Sequence, residues 1–435
     1  MNRPTSLPRS VPFAALLPAL GLNLGVAPAG ALAGLLLGSV LASPAEAQVA
    51  VRGGTVHTVS GEAISDGVVL IGADGRITQV GPAASVTIPQ GVTVLEAAVV
   101  TPGLVDARSV VGLSGILGSE LPSDQDHIEL SSAIQPELRA LDAYNARDPL
   151  VEWIRDLGTT TLHTGHGPGA LISGQTMVVK TRGLTVDGAL VEPLAAFAGT
   201  LGPEVSRGGG GWPGTRARGV TMLRSFLLRG QAALDREDRE GGGAGAPVES
   251  DLGLREAVRI LRGEVPLLIT AHQVPEIMAA LRLQREFGFR LILDGAAEAY
   301  LVLDEIREAG VPVILHPTMA RHQGPLVNAS FMTAQRLAEA GIPFAIPSGN
   351  EPYFPKTRVV LMEGAMAAGY GLSFQRTLQA ITLDPARILG LDHRVGSLEP
   401  GKDGDLVLFN GDPFEYTTRV CGVIIEGEVV SRECR

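Results

Sequence analysis

Between Asp251 and Gly349 the chain repeats one arrangement, and this restricts its fold more than any other feature. "DLGLREAVRILRG" has helical apolar spacing and a glycine stop, "VPLLITAH" is an apolar run of strand length, and "VPEIMAALRLQREFG" opens on proline and closes on glycine as a helix does. "FRLILDG", the helix "AAEAYLVLDEIREAG", "VPVILHP", the helix "NASFMTAQRLAEAG" and "IPFAIPSG" continue the series. Strands joined through helices pair in parallel by right-handed crossovers. The α/β class follows, and the spacing suits a TIM-like (β/α)8 barrel better than an open sheet. Functional side chains in such barrels sit where the strands end. The positions to watch are therefore Arg108 and Val110, Lys180 after "TMVV", His272, Asp294, His316, and Gly349 with Asn350.

The chain ends read differently. "AVRGGTVHTV", "GVVLIGADGRITQVG" and "GVTVLEAAVV" alternate or run apolar between Gly and Asp turns, and strand signals return in "GSLEPGKDGDLVLFNGD". Residues 48–100 and 392–435 are expected to build one composite β-sandwich domain around a barrel of residues 101–391. Two glycine-rich inserts, near 207–214 ("RGGGGWPG") and 240–247 ("EGGGAGAP"), flank a helical segment from about Thr215 to Arg239. Neither has phosphate-loop spacing, so they read as flexible loops, with a mobile lid as the sharper alternative.

Residues 1–47 carry the marks of a signal peptide. Arg3 and Arg9 are followed by an apolar run from Val11 to Ala42, and Ala45-Glu46-Ala47 gives the small-x-small pattern before Gln48. Pro18, Pro28 and several glycines break the run, which weighs against a permanent anchor. The expected location is periplasmic or secreted, with no membrane span after cleavage. An oxidising compartment suits Cys421 and Cys434, the only two cysteines, which flank the alternating "GVIIEGEVVSRE". A hairpin turning at Gly427-Glu428 places them opposite each other, so a disulfide is expected, with two buried free thiols as the alternative. A net charge of −11 and the lack of a basic patch exclude nucleic acid as the main partner.

Several stretches together resemble the amidohydrolase superfamily, in particular its imidazolonepropionase-like metal-dependent hydrolases. They are "ADGRITQVG", the strand end "TPGLVDA", "GTTTLHTGHGPGALISGQTMVVK", "AHQVPEI", and the closing "ITLDPARILGLDHRVGSLEPGKDGDLVLFNGDP". The resemblance implies a Zn-type divalent metal that activates water against a carbon–nitrogen bond, with an Asp as general base. It also implies His-x-His at the first barrel strand, a Lys or Glu at a middle strand, His at the fifth and sixth, and Asp at the eighth. At the first-strand pair this chain has Arg108 and Val110, neither of which can ligate a cation. Lys180 falls near the middle-strand position, His272 matches the fifth-strand ligand, Asp294 stands at the sixth, and Ser348-Gly349-Asn350 replaces the eighth-strand Asp. The sequence thus describes a divergent member lacking the His-x-His pair, its metal absent or reduced, with His272 as a remnant ligand and Arg108, Lys180, Asp294 and Asn350 as pocket residues.

His163 and His166 in "LHTGH" could join His272 and Asp294 in a new N/O site, although histidines in a turn more often bond to loop backbone. His316 and His322 read as loop or wall residues, and Asp124, Asp126 and His127 as a solvated loop. There is no Gly-x-Ser-x-Gly elbow, Cys–His pair or Walker loop. Three functions remain open. The first is an exported hydrolase of non-peptide or cyclic amides with a reduced or relocated metal site. The second is a non-catalytic small-molecule binder, or a partner subunit in a homo-oligomer or in a hetero-oligomer with an active relative. The third is a metal-free enzyme using Arg108 to hold an anionic substrate, as the guanidinium fork suits carboxylates.

Overall fold

Strands β1 (Ala47–Val56), β2 (Ile64–Gly72), β3 (Ile77–Pro82) and β4 (Thr93–Pro102) come first, and β5 (Leu104–Ser109) follows after one glycine. Next are α1 (Pro149–Asp156), β6 (Thr159–Gly165), β7 (Gly174–Lys180), α2 (Val186–Ala189), β8 (Leu190–Thr200), α3 (Arg216–Glu240) and α4 (Leu252–Leu261). The regular alternation is β9 (Leu267–Ala271), α5 (Val274–Phe287), β10 (Leu291–Gly295), α6 (Leu303–Ala309), β11 (Val313–Leu315), α7 (Thr333–Glu339) and β12 (Phe344–Ala345). The chain closes with α8 (Val360–Gly369), α9 (Phe374–Ala380), α10 (Leu383–Ile388), β13 (Leu406–Phe409), β14 (Val420–Ile425) and β15 (Glu428–Ser431). This computed structural model describes residues 47–114, 126–206, 210–240, 251–316, 318, 322–349 and 359–435. Asn350, Asp124, the leader through residue 46, residues 207–209 of the first glycine run and 241–247 of the second lie outside the described residues.

Both chain ends enter one sheet of order β15-β14-β13-β4-β1-β2-β3, as their alternation requires. The second sheet, β12-β11-β10-β9-β8-β7-β6-β5, is the barrel wall. Its inward layer takes one small or branched side chain from each of six strands: Ala107, Ala196, Leu268, Ile292, Ile314 and Ala345. Residues of opposite parity, such as Leu267, Ile269, Leu291, Leu293, Val313 and Phe344, pack outward into the cluster shared with the helices. No ladder joins β12 to β5. The gap is bridged by Val105 N donating to Ile381 O at 2.9 Å, Ile346 N to Ala380 O at 2.9 Å, and Gly349 N to Arg108 O at 3.0 Å. The expected barrel with a separate layer of end strands is present.

One strand breaks the parallel pattern. β7 pairs antiparallel with both β6 and β8, while the other barrel ladders are parallel. The carboxyl end of β7 therefore points to the foot of the barrel. At the C-terminus, the hairpin turns at Glu426-Gly427, one residue before the expected pair, with φ of +47° and +78° and Ile425 opposite Glu428. A register shift between Val423 and Ile424 still brings Cys421 to Cys434, and the disulfide forms. Among the described residues no helix is long and apolar enough to cross a membrane.

Candidate functional site

The strand ends at the barrel mouth are held by local sequence. Glu276, in the first turn of α5, accepts from His272 N and Gln273 N at 3.1 Å each, so helix α5 clamps the end of β9 and fixes His272. β10 ends in two residues of positive φ, Gly295 at +80° and Ala296 at +48°, the second an uncommon conformation for a residue with a Cβ. The turn lets the His272 ring lie against residue 295, where a Cβ would come within 2.4 Å of it. Gly349 does the same for His316. At φ +82° its Cβ would stand 2.2 Å from the ring, so the "SG" replacing the expected aspartate is also the space His316 occupies.

Arg108 sits at the centre of this end, 1% exposed. Its Nη1 donates to Ser109 O at 3.3 Å and its Nη2 to His166 O, while Nε is buried without a partner. Asp294 and Asp106 act on it electrostatically and hold charge on it against burial, which lowers its pKa. No ion pair joins it to a described carboxylate. Asp106 Oδ1 accepts from Ser348 N at 2.9 Å and Arg108 N at 3.3 Å. Burial outweighs these bonds and raises its carboxyl to about 6. Asp294 Oδ2 accepts from Thr270 Oγ1 at 2.5 Å, one strand over.

Three histidines surround the guanidinium, all with lowered pKa because burial and the Arg108 charge both oppose a second cation. His163 falls to about 3 and His166 to about 4. His163 is fully committed, with Nδ1 2.5 Å from Ala107 O and Nε2 2.7 Å from Thr176 Oγ1. Neither ring nitrogen of His166 makes a well-formed hydrogen bond, and the nearby His127 carbonyl is taken by Gly167 N at 2.7 Å. His272, partly exposed and near Asp294, has its pKa lowered by burial against the pull of that carboxylate, and its Nδ1 is unpartnered.

The structure thus brings together Arg108, Asp294, His272, His163 and His166 of the residues singled out in the sequence, adds His127 to them, and puts Val110 in the core. Lys180 does not join them. It ends the antiparallel β7, level with Thr161 at the start of β6, and its Nζ meets Asp405 at 2.7 Å and Asp403 at 3.1 Å. That is a buried link to the end-strand sheet, extended by Arg394 to Asp403 at 3.0 Å. Its placement at a strand end assumed a parallel strand, and the reversal of β7 moves it to the far end. His322 is exposed, with Nδ1 3.2 Å from Val327 O, and His127 is buried rather than solvated. Asp106, Thr176 and Thr270 were not foreseen. Only Asp106 carried a signal, at i−2 to Arg108 on the same strand.

Among the described residues no group of three or more His, Cys, Asp or Glu is set to hold a metal ion. Residues 296–430 match the family model described as "Amidohydrolase family". The amidohydrolase tasK of Hapsidospora irregularis is 26% identical over 361 residues, 75% of this chain and 36% of that protein. The imidazolonepropionase of Syntrophobacter fumaroxidans is 36% identical over 110 residues, 25% of each chain. This chain thus spans well under two thirds of both relatives. The imidazolonepropionase of Rhizorhabdus wittichii is 24% identical over 380 residues, 82% of this chain and 91% of that one. Among solved structures, an amidohydrolase from Thermotoga maritima MSB8 superposes with a TM-score of 0.81 at 26% identity, covering 88% of this chain and all of that one. Fold, matched segment and relatives agree, and the chain belongs to the amidohydrolase superfamily.

Proposed function

We propose that this chain is an exported member of the superfamily in which the buried guanidinium of Arg108 stands in the place of the metal pair, so that the barrel binds a small molecule and does not hydrolyse it through a metal. The carrying observation is Arg108 itself. It is buried at the first-strand ligand position and anchored on two backbone carbonyls. At an effective dielectric of ~20 a fixed positive charge ~4 Å from a dication opposes it by about 8 kcal/mol. The donors left do not fit a catalytic zinc-type ion, which takes about three protein ligands and an open position for water. Val110 offers no lone pair, Gly349 no side chain, and both His163 nitrogens are engaged. Of the family's ligand positions only His272 and Asp294 keep a donor, and among the described residues they join no group of three or more His, Cys, Asp or Glu that could hold the ion. The leader pattern of residues 1–47 and the Cys421–Cys434 disulfide support export.

The test is a hydrolysis panel of N-acyl amino acids, X-Pro dipeptides and cyclic imides, run on the mature chain with Zn, Mn or Co, with and without chelator. The expected result is no chelator-sensitive turnover. Turnover abolished by both EDTA and His272→Ala would mean that a rebuilt metal site hydrolyses a C–N bond and would overturn the reading.

A further inference from the structure

Arg108 has five N–H donors, of which two are engaged among the described residues, on Ser109 O and His166 O. The unpartnered Nε belongs to a side chain 1% exposed. A buried cation without a direct counter-ion is among the costliest arrangements a fold can carry, so the site is built to be completed. The completing group cannot be a simple anion, because Asp294 and Asp106 already act on the same guanidinium and would repel it. Nor can it be a simple cation, which would meet Arg108. A group carrying both signs satisfies both ends. Asp294, held by Thr270 at the end of β10, acts on the charge of Arg108 and forms no ion pair with it. His272, near Asp294, is the partly exposed residue of this group, whereas Arg108 and Asp294 are buried.

We infer that the barrel mouth is a subsite for a free α-amino acid, with Arg108 taking the carboxylate and Asp294 the ammonium. The inference rests on the reading that Arg108 replaces the metal pair, and goes beyond it by naming the ligand class. Neutral His166 and His272, each with an unpartnered ring nitrogen, can supply further hydrogen bonds without adding charge.

Titration calorimetry on the mature wild-type chain with L-leucine, L-alanine, L-histidine, N-acetyl-L-leucine, L-leucinamide and acetate tests this. At least one free amino acid is expected to bind, and removal of either charged end should weaken it tenfold or more. Arg108→Lys should weaken the amino acid but leave L-leucinamide unchanged. Asp294→Asn should weaken the amino acid but leave N-acetyl-L-leucine unchanged. Should a variant fail to fold by circular dichroism, the derivative series on the wild type decides alone. Acetate or N-acetyl-L-leucine binding as tightly as L-leucine, or no amino acid binding at all, would overturn the proposal. A chain that holds metal refutes the replacement reading before any titration, whereas a metal-free chain indifferent to amino acids refutes this inference only.

Discussion

Two buried carboxylates show how the same upward push of desolvation ends in opposite net shifts depending on the partner. Burial raises Asp106 to about 6 from an ordinary value of 3.8, in spite of the bonds from Ser348 and Arg108. Between those values the unfolded chain has released a proton that the folded chain keeps. Its contribution to stability is therefore full below the ordinary value and is lost as pH rises through about 6, a loss of about 3 kcal/mol for a shift of about two units. Asp106→Asn retains an acceptor for both backbone N–H groups. It should match the wild type in melting temperature near pH 4 and exceed it at pH 7, and a pH-independent difference would refute this assignment. In Asp403 burial also raises the pKa, but Lys180 and Arg394 outweigh it and the net shift is downward. Lys180→Met leaves Asp403 and Asp405 buried without their ammonium, and a loss of about 3–5 kcal/mol is expected in thermal or denaturant unfolding. An unchanged midpoint would show that the network is not structural.

At the scale of elements, the barrel mouth is shaped by where β10 and β12 stop. Gly349 cannot simply be restored to aspartate, because its φ of +82° and the His316 ring 2.2 Å from an added Cβ both oppose a side chain. Gly349→Asp alone should lower the melting temperature by several degrees, corresponding to more than about 1 kcal/mol. A neutral effect would show that β12 and His316 move freely. The same elements explain what the sequence could and could not disclose. The strands from β9 to β12 were legible because each is an apolar run between helices with clear stops. The direction of β7 was not, since "GQTMVVK" has the same apolar character whichever way it runs, and the Lys180 assignment fell with it. The hairpin turn was read one residue late because Gly427 was taken as its first residue, whereas Glu426 holds that place in a left-handed conformation.

Across the whole molecule, the barrel and the end-strand sheet follow the family's form, while the residues at the mouth depart from its pattern. Arg108, Val110 and Gly349 were visible in the sequence as departures from the family pattern, because each changes residue type at a recognisable strand end. The histidines around Arg108 were less legible: His163 and His166 look alike in "LHTGH", yet one is tied to Ala107 and Thr176 and the other is not. Only the folded contacts separate them. Elemental analysis of the mature chain after exposure to Zn, Mn or Co and thorough desalting bears most directly on the central claim, that a guanidinium has replaced the metal pair. Metal well below one ion per chain, unchanged by His272→Ala, is the predicted result. Near-stoichiometric metal that disappears in His272→Ala would contradict it.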